Sequence, residues 1–219
     1  MGELIRSGRV TIDGLTVRDP GLDYGTGAVA ANGEAVAAPS QLYLMLHKPS
    51  GILTQAEGKN ARSVVDLLPE RYRKAKCMPV GRLDKDTTGL LLLTTDGVLA
   101  HRLIAPKRHV DKVYRAWTDA DLNGSDIEAF ASGMHFAEFD SLPARLEIVS
   151  PREGLVTVRE GKYHQVKRMF AARGKQVIRL HREVFGPLHL DTALSPGAFR
   201  TLDAKEVEAL YAAAEMEMP

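Results

Sequence analysis

The feature that most restricts the fold is the apolar run Leu90 to Thr94, in which four leucines are followed by a threonine. A short apolar run bounded by turn residues is typical of a buried strand. The segment before it, Gly81 to Gly89, holds two acidic, two basic and two hydroxyl side chains. Glycine at each end of that segment permits tight turns. We therefore predict a sheet in which a charged loop leads into a buried strand.

Further strands outnumber helices along the chain, and most connections between them are not regular βαβ units. This pattern predicts an α+β fold with a mixed or antiparallel sheet and flanking helices at its edges. Apolar and alternating segments predict additional strands at 42–46, 113–118, 144–149, 155–159, 177–182 and 188–190. Helical periodicity and glycine stop signals predict helices at 97–104, 126–132, 164–173 and 204–213.

The first forty residues differ from this body. Leu4 to Gly14 is typical of a helix end, a glycine turn and a short strand, and Val17 with Asn32-Gly33 indicates a further hairpin. Small residues from Asn32 to Gln41 indicate a linker. So short a segment builds a poor core alone. We expect a small unit at 1–38 and the main domain at 39–219.

The composition of the 219 residues, 44% hydrophobic and 26% charged, fits a globular protein. The single cysteine, Cys77, cannot form an internal disulfide, so a reducing compartment is expected. No apolar run approaches the ~20 residues of a membrane span, and the first six residues lack the apolar core of a secretory signal. The sequence therefore predicts a cytoplasmic protein without membrane association.

A formal net charge of +1 hides two basic segments. Residues 152–182 contain nine Lys or Arg against two acids, and residues 101–115 contain five against one. Residues 201–219 are acidic, with five acids against one lysine. Concentrated basic segments suggest a polyanion partner. A solvated, salt-bridged surface explains the charges equally well.

Three segments could carry chemistry. Asp84, at the mouth of the buried strand, could act as nucleophile or base, although an Asp-rich turn capped by threonines is the simpler interpretation. Residues 160–170 combine a helix start with basic side chains and two rings, which suits an unstacked RNA strand or a solvated amphipathic helix. Tyr114, at a strand start, is by itself more typical of a core. The seven scattered histidines give no zinc spacing, and no dinucleotide or P-loop motif occurs, so we expect no metal and no cofactor.

Several blocks in this order resemble one enzyme family. They are LHKPSG at 46–51, GRLDKDTTGLLLLTTDG at 81–97, KVY at 112–114, EGKYHQVKRMFAARG at 160–174 and LHREVFG at 180–186. Together they are similar to the RsuA-like pseudouridine synthases over residues 42 to about 203. Leu4 to Gly14 resembles the second half of the small RNA-binding domain of the ribosomal protein S4 type, whose usual first helices are missing from this sequence.

The resemblance implies a role for each matched residue. Asp84 would be the essential carboxylate, Tyr114 would stack on the target uracil, and Lys167 would lie against Asp84 and keep it ionised. Arg82 would fill the space left by the extruded base or hold a neighbouring phosphate. We do not expect Asp86 to pair with Asp84, because an extended segment would turn it the other way. The further RNA-binding candidates are Lys162, His164, Gln165, Arg168, Arg6 and Arg9.

The implied reaction is the isomerisation of a uridine in ribosomal RNA to pseudouridine by a monomeric enzyme. The double threonine at 87–88, the run at 100–102 and the YHQVKR block favour the branch that acts on small-subunit RNA or a partly assembled small subunit. Three alternatives stay open: a large-subunit enzyme of the same family, a non-catalytic RNA-binding assembly factor, and a hydrolase using Asp84 and Asp86 as a carboxylate pair.

Overall fold

The computed structural model describes residues 2–21, 28–35, 41–55 and 61–218. The chain forms two compact units, Met1–Gln41 and Leu42–Pro219. The boundary expected after residue 38 falls within 36–40, outside the described residues. Each unit is therefore treated by itself.

The first unit contains a short helix, α1 (Gly2–Arg6), and a four-stranded antiparallel sheet in the order β2-β1-β3-β4. Its strands are β1 (Val10–Ile12), β2 (Leu15–Val17), β3 (Val29–Ala31) and β4 (Glu34–Ala35). The predicted Asn32-Gly33 hairpin is confirmed, with φ of 53° and 80° at the two turn residues. Such angles favour these two residue types. The linker predicted from Asn32 was placed too early, because Glu34–Ala35 pairs with β3.

The second unit is built on a nine-stranded sheet with the main order β13-β5-β7-β11-β8-β10-β9. In addition, β6 pairs with β7 and β12 pairs with β11. The β7–β11 pair is parallel, and the other described pairs are antiparallel. The mixed sheet predicted from the sequence is therefore confirmed. The strands are β5 (Tyr43–Lys48), β6 (Met78–Pro79), β7 (Thr88–Thr94), β8 (Lys112–Thr118), β9 (Arg145–Ser150), β10 (Glu153–Val158), β11 (Val177–Phe185), β12 (Leu188–His189) and β13 (Phe199–Thr201).

The described helices of this unit are α2 (Glu70–Lys74), α3 (Gly97–Ile104), α4 (Gly124–Ser132), α5 (Gln165–Ala172) and α6 (Ala204–Ala213), with 3-10 helices at Val64–Leu67 and Pro106–Arg108. The four predicted helices are present, whereas α2 and both 3-10 helices were not predicted. Across the ranges that the structure covers, no helix combines the length and apolar character that a bilayer crossing requires.

The sequence predicted helices at the edges of the sheet, but they lie on its faces. The four leucines of β7 explain this arrangement. Leu90 and Leu92 pack with α3 and α6 on one face. Leu91 and Leu93 pack with the Val64–Leu67 helix and α2 on the other. A strand that is apolar on both sides needs cover on both sides.

A third core cluster joins the other half of the sheet to α4 and α5. Ala116 of β8, Val156 of β10 and Leu180 of β11 contact Phe130 of α4 and Phe170 of α5. The two phenylalanine rings lie 4.8 Å apart between centroids. This packing fixes α5, and with it Lys167, against the sheet.

Candidate active site

The charged loop before β7 is held at its two ends by glycines with positive φ, +70° at Gly81 and +108° at Gly89. A Cβ atom at Gly89 would lie 2.2 Å from the backbone oxygen of Arg182 on β11. That separation is far inside van der Waals contact, so glycine is required where the parallel strands meet. The loop therefore emerges at a fixed point between β7 and β11.

Side-chain hydrogen bonds fix the loop on its inner side. The buried Thr54 hydroxyl donates to the Leu83 carbonyl oxygen at 2.8 Å and accepts from the Leu83 N–H at 3.2 Å. The Lys48 ammonium, which is 0% exposed, donates to the carbonyl oxygens of Pro49, Lys85 and Thr87 at 3.1, 3.1 and 2.9 Å. Asp84 thus projects from a segment that is held on both sides.

The carboxylate of Asp84 lies beside two side chains from the start of α5. Lys167 Nζ is 3.2 Å from Asp84 Oδ2, and His164 Nε2 is 3.6 Å from Asp84 Oδ1. Lys167 Nζ also donates to Asp86 Oδ1 at 2.6 Å. An extended segment would turn Asp86 away from Asp84, as predicted from the sequence. The chain instead bends at 85–86, with Thr87 N–H donating to Asp84 O, so one lysine serves both carboxylates.

The charge of Lys167 is stabilised by these neighbours. Burial by itself lowers the pKa of Lys167, but the carboxylates of Asp86 and Asp84 outweigh it and raise that pKa above its ordinary value. Burial also opposes ionisation of Asp86, yet Lys167 holds the pKa of Asp86 below its usual range. Lys167 is therefore a permanent cation beside Asp84.

The turn into α5 is braced by a buried amide. Gln165 donates from Nε2 to Glu160 Oε1 at 2.8 Å and accepts the Lys162 N–H at 3.1 Å. Glu160 Oε1 also accepts the Leu142 N–H at 2.7 Å. His164 adopts a left-handed φ of 52° at the helix start. Gln165, predicted to bind RNA, thus has its amide engaged within the protein, where it sets the position of Lys162 and His164.

These elements enclose a cleft. Asp84, Tyr114, Arg82, Lys162 and His164 line both a volume of about 530 Å³ and an adjoining recess of about 70 Å³. Arg82 and Lys162 are exposed, and neither has an ion-pair partner among the described residues. Tyr114 is half-buried between two core clusters. The structure therefore brings five of the predicted site residues to both parts of this cavity, and Gln165 lines the smaller recess.

A pair of stacked rings lies at the mouth of the cleft. The rings of Tyr163 and His164 are 3.8 Å apart between centroids and 18° from parallel. Tyr163 is 66% exposed. An exposed stacked pair of this kind presents a flat apolar face on which a nucleic-acid base can stack.

Other predicted residues lie elsewhere. Lys167 contacts Asp84 but is not part of the described cleft lining. Arg168 pairs with Glu138 and lies over the rings of Phe136 and Phe139, at 5.3 and 5.1 Å from their centroids. Its guanidinium is therefore engaged at a separate surface.

Arg6 and Arg9 belong to the first unit, and both are exposed. Arg9 Nε donates to Ser7 Oγ at 3.1 Å. Their predicted contact with RNA stays a prediction.

Sequence reasoning missed three residues that hold the site. Thr54 stands in a loop without any recognisable pattern. Lys48 and Arg182 do lie inside blocks that were noticed, LHKPSG and LHREVFG, but only as parts of a resemblance. Arg182 is 2% exposed, lines the cleft, and donates from Nη1 to the Tyr114 hydroxyl at 3.4 Å. A buried basic residue within a strand was the available signal.

Acidic, histidine and cysteine side chains within the described ranges form no cluster of three or more that could hold a metal ion. The cleft residues instead supply the Asp84 carboxylate beside Lys167, a second carboxylate on Glu160 whose Oε1 is bound within the protein, a tyrosine and exposed basic groups. This set suits proton transfer or nucleophilic attack on a polyanionic substrate.

Comparison with known proteins agrees with this chemistry. Residues 42–172 match the family model of RNA pseudouridylate synthase. The chain is 40% identical to an RNA pseudouridine synthase of Bacillus subtilis, over 94% of this chain and 90% of the relative. It is 42% identical to ribosomal small subunit pseudouridine synthase A of Pseudomonas aeruginosa, over 93% and 90%, and 40% identical to the Vibrio cholerae protein of that name, over 95% and 91%.

A solved structure shows the same architecture. The crystal structure of a pseudouridylate synthase superimposes with a TM-score of 0.75 at 33% identity, covering 95% of this chain and 91% of the other. Identity of this extent, over more than nine tenths of the chain, exceeds what a shared fold alone requires. The chain therefore belongs to the RNA pseudouridylate synthase family, whose members are isomerases.

Proposed function

We propose that this protein converts a uridine of small-subunit ribosomal RNA to pseudouridine, with Asp84 as the catalytic carboxylate. The observation that carries the proposal is that Asp84 and Tyr114 line one cleft, while Lys167 contacts Asp84 from outside the lining. A carboxylate, a ring and a half-buried charge partner are the groups that the reaction needs.

Two findings support a ribosomal substrate. Several relatives about 40% identical to the chain are named as ribosomal small subunit pseudouridine synthases. The cleft mouth carries the exposed cations Arg82 and Lys162 beside the stacked rings of Tyr163 and His164. Cations for the backbone and rings for unstacked bases are the usual means of binding single-stranded RNA.

The reaction begins with extrusion of the target uridine, because its glycosidic bond is inaccessible within a stack. Extrusion costs a few kcal/mol, and less for a loop base. Stacking of the uracil on Tyr114 recovers about 1–3 kcal/mol. Arg82, at the cleft edge, occupies the vacated position or holds a neighbouring phosphate.

Asp84 then acts on the sugar in its ionised form, either by attack on C1′ or by removal of a proton from C2′. Lys167 stabilises the charge that both routes require. The detached uracil turns and C5 bonds to C1′, as the Asp84–C1′ bond breaks on the first route or as a proton returns to C2′ on the second. The C5 proton then leaves, and N1 gains one. The Tyr114 hydroxyl, which has the Arg182 guanidinium beside it, is assigned to the transfer of the C5 proton.

The carboxylate-pair hydrolase finds no support in the geometry. The Asp86 side chain is 71% exposed, is bound to Lys167, and is not among the residues that line the cleft. It therefore serves to hold Lys167 rather than to act as a second catalytic acid.

The first unit is assigned to RNA binding, as part of a domain of the S4 type with Arg6 and Arg9 as contacts. In this proposal the protein is a cytoplasmic monomer that acts on ribosomal RNA or on a partly assembled small subunit. Phosphate contacts by exposed arginines make such binding weaker as salt concentration rises.

The test is to incubate the protein with unmodified small- and large-subunit ribosomal RNA, free or in particles, and to map pseudouridine. We expect one modified position, in the small-subunit RNA. Asp84→Asn should abolish the product while RNA binding stays largely intact.

Each other outcome has a clear meaning. Modification of the large-subunit RNA alone would overturn the substrate assignment. Turnover by Asp84→Asn would overturn the catalytic assignment. RNA binding without any modification by the wild-type protein would favour an assembly factor.

A further inference from the structure

The described residues include four buried basic side chains, Lys48, Lys112, Lys175 and Arg182. A buried charge is costly unless it is paired or fully hydrogen-bonded. Two of the four meet this condition. Lys48 donates to three carbonyl oxygens, and Lys175 donates to the Asp126 carboxylate at 2.9 Å and the Arg173 carbonyl at 3.4 Å.

The other two do not meet it. Lys112, 7% exposed, donates to the Val110 carbonyl at 2.7 Å, one bond for an ammonium with three donors. Arg182 donates from Nε to Leu90 O at 2.8 Å and from Nη1 to Tyr114, but its buried Nη2 has no hydrogen-bond partner. Among the residues described, neither cation has a carboxylate within ion-pair distance.

These two cations lie together at the floor of the cleft. Both residues line it, and both lie over the ring of Phe185, with Lys112 Nζ 5.5 Å and the Arg182 guanidinium carbon 5.1 Å from its centroid. Burial, and then the charge of Arg182, lowers the pKa of Lys112 to about 8. A floor with two dehydrated positive charges is suited to a group that carries negative charge.

The position of the floor cations distinguishes between two parts of an RNA substrate. Backbone phosphates are hydrated and can be met at the cleft mouth by the exposed Arg82 and Lys162. The floor cations instead lie beside Tyr114, which is the proposed platform for the base. A fixed charge in a site that excludes water interacts most strongly with charge that develops during reaction.

We propose that Arg182, supported by Lys112, stabilises the uracil anion formed when the glycosidic bond breaks. This inference rests on the proposed function. Cleavage of the C1′–N1 bond leaves the electron pair on N1, and the charge is shared with the O2 and O4 oxygens. Bonding of C5 to C1′ takes up the negative charge, and the base ends neutral because the C5 proton leaves and N1 gains one. The cations therefore favour the transition state over the neutral substrate.

The experiment compares single-turnover rates on RNA with uridine or 5-fluorouridine at the target position. Fluorine withdraws electrons and stabilises the departing anion itself. Arg182→Met should slow consumption of the uridine substrate by about 10²–10³-fold, with an RNA Kd within about threefold of wild type. Its defect on 5-fluorouridine should be at least about tenfold smaller. Lys112→Met should show the same dependence on the base, and Arg182→Lys should restore part of the rate.

Lys175→Met is the matched control, since it removes a buried cation remote from the cleft. It should lower stability but give the same rate ratio for the two substrates as wild type. Equal defects of Arg182→Met on both substrates would overturn the inference, because loss of Tyr114 positioning does not depend on the leaving group. Wild-type rates in Arg182→Met would also overturn it, while the proposed function would stand. Loss of the proposed function would appear separately, as absence of pseudouridine from the wild-type reaction.

Discussion

Replacing Thr54 with valine removes the hydroxyl that holds the backbone of Leu83, the residue before Asp84. Valine keeps the shape of the side chain but can neither donate nor accept a hydrogen bond. The Leu83 carbonyl and N–H, bound at 2.8 and 3.2 Å in the wild type, would both be left buried and unsatisfied. Each such group costs about 1–3 kcal/mol, so Thr54→Val should lower the free energy of unfolding by about 2–6 kcal/mol. A displacement of the catalytic loop by about 1 Å would slow the single-turnover rate by up to about 100-fold.

The same loop offers a matched control for this prediction. Thr87 is 1% exposed, and its hydroxyl is buried without a hydrogen-bond partner. Thr87→Val should therefore be neutral or stabilising, since it removes an unsatisfied polar group. Urea unfolding measures both variants, and Thr54→Ser should retain most of the wild-type stability. Equal destabilisation by the two valine substitutions would refute the reasoning, because hydrogen bonding could not then explain the loss.

Three further predictions concern charge. Asp126→Asn should lower the free energy of unfolding by about 3–5 kcal/mol in urea titrations, because it leaves Lys175 buried without its carboxylate. Although burial opposes its ionisation, Asp126 has a lowered pKa because Lys175, the Asn123 backbone and other donors outweigh that burial. The contribution of ionised Asp126 to the free energy of unfolding should therefore be complete above about pH 4 and lost as the pH falls further. If wild type and Asp126→Asn lost stability equally as the pH falls below about 4, this prediction would be contradicted. Burial lowers the pKa of Lys48 in the folded protein to about 8. Above that pH the unfolded chain binds more protons at Lys48 than the folded chain does. The free energy of unfolding of wild type should therefore rise relative to that of Lys48→Met between pH 8 and 9.5. Arg82→Gln and Lys162→Gln should each reduce the slope of log K against log salt by about 0.7 for single-stranded RNA, and a slope equal to that of wild type would exclude the residue from phosphate binding.

Local patterns were enough to predict most regular elements. Helix α3 was predicted at 97–104 and occupies Gly97–Ile104. Its start is set by the Asp96 side chain, which accepts the Leu99 N–H at 2.9 Å. Helix α4 ends at Gly133, where φ is +74°. Signals of this kind act between residues a few positions apart, so a single sequence displays them.

The support of the active site could not be predicted in this way. Thr54 lies 29 residues from Leu83, and Lys48 lies 37 residues from the Lys85 carbonyl that it caps. Both partners are backbone groups. Because every residue has such groups, the sequence does not show which of them will be bound. Distances of this length along the chain become contacts only through the pairing of strands.

Asp86 illustrates a different limit. Alternation of side chains was applied to a segment assumed to be extended, and the rule is sound for strands. A bend at 85–86 turned the second carboxylate toward Lys167. Loop conformation depends here on Gly89, whose turn was expected, and on the distant Lys48, which was not considered as a determinant of the loop.

The parallel strand β11 has a consequence for biosynthesis. In the order of the main sheet it lies between β7, which follows Asp84, and β8, which carries Tyr114. While Val177–Phe185 is still inside the ribosome, the strand that joins β7 to β8 is missing. Asp84 and Tyr114 then belong to two separate parts of the sheet. Pairing between segments so distant in sequence is slow, and the exposed edges of β7 and β8 invite wrong partners meanwhile. The catalytic centre is therefore incomplete until β11 has paired, and a product truncated before Val177 would contain Asp84, Tyr114 and Lys167 without forming the enzyme.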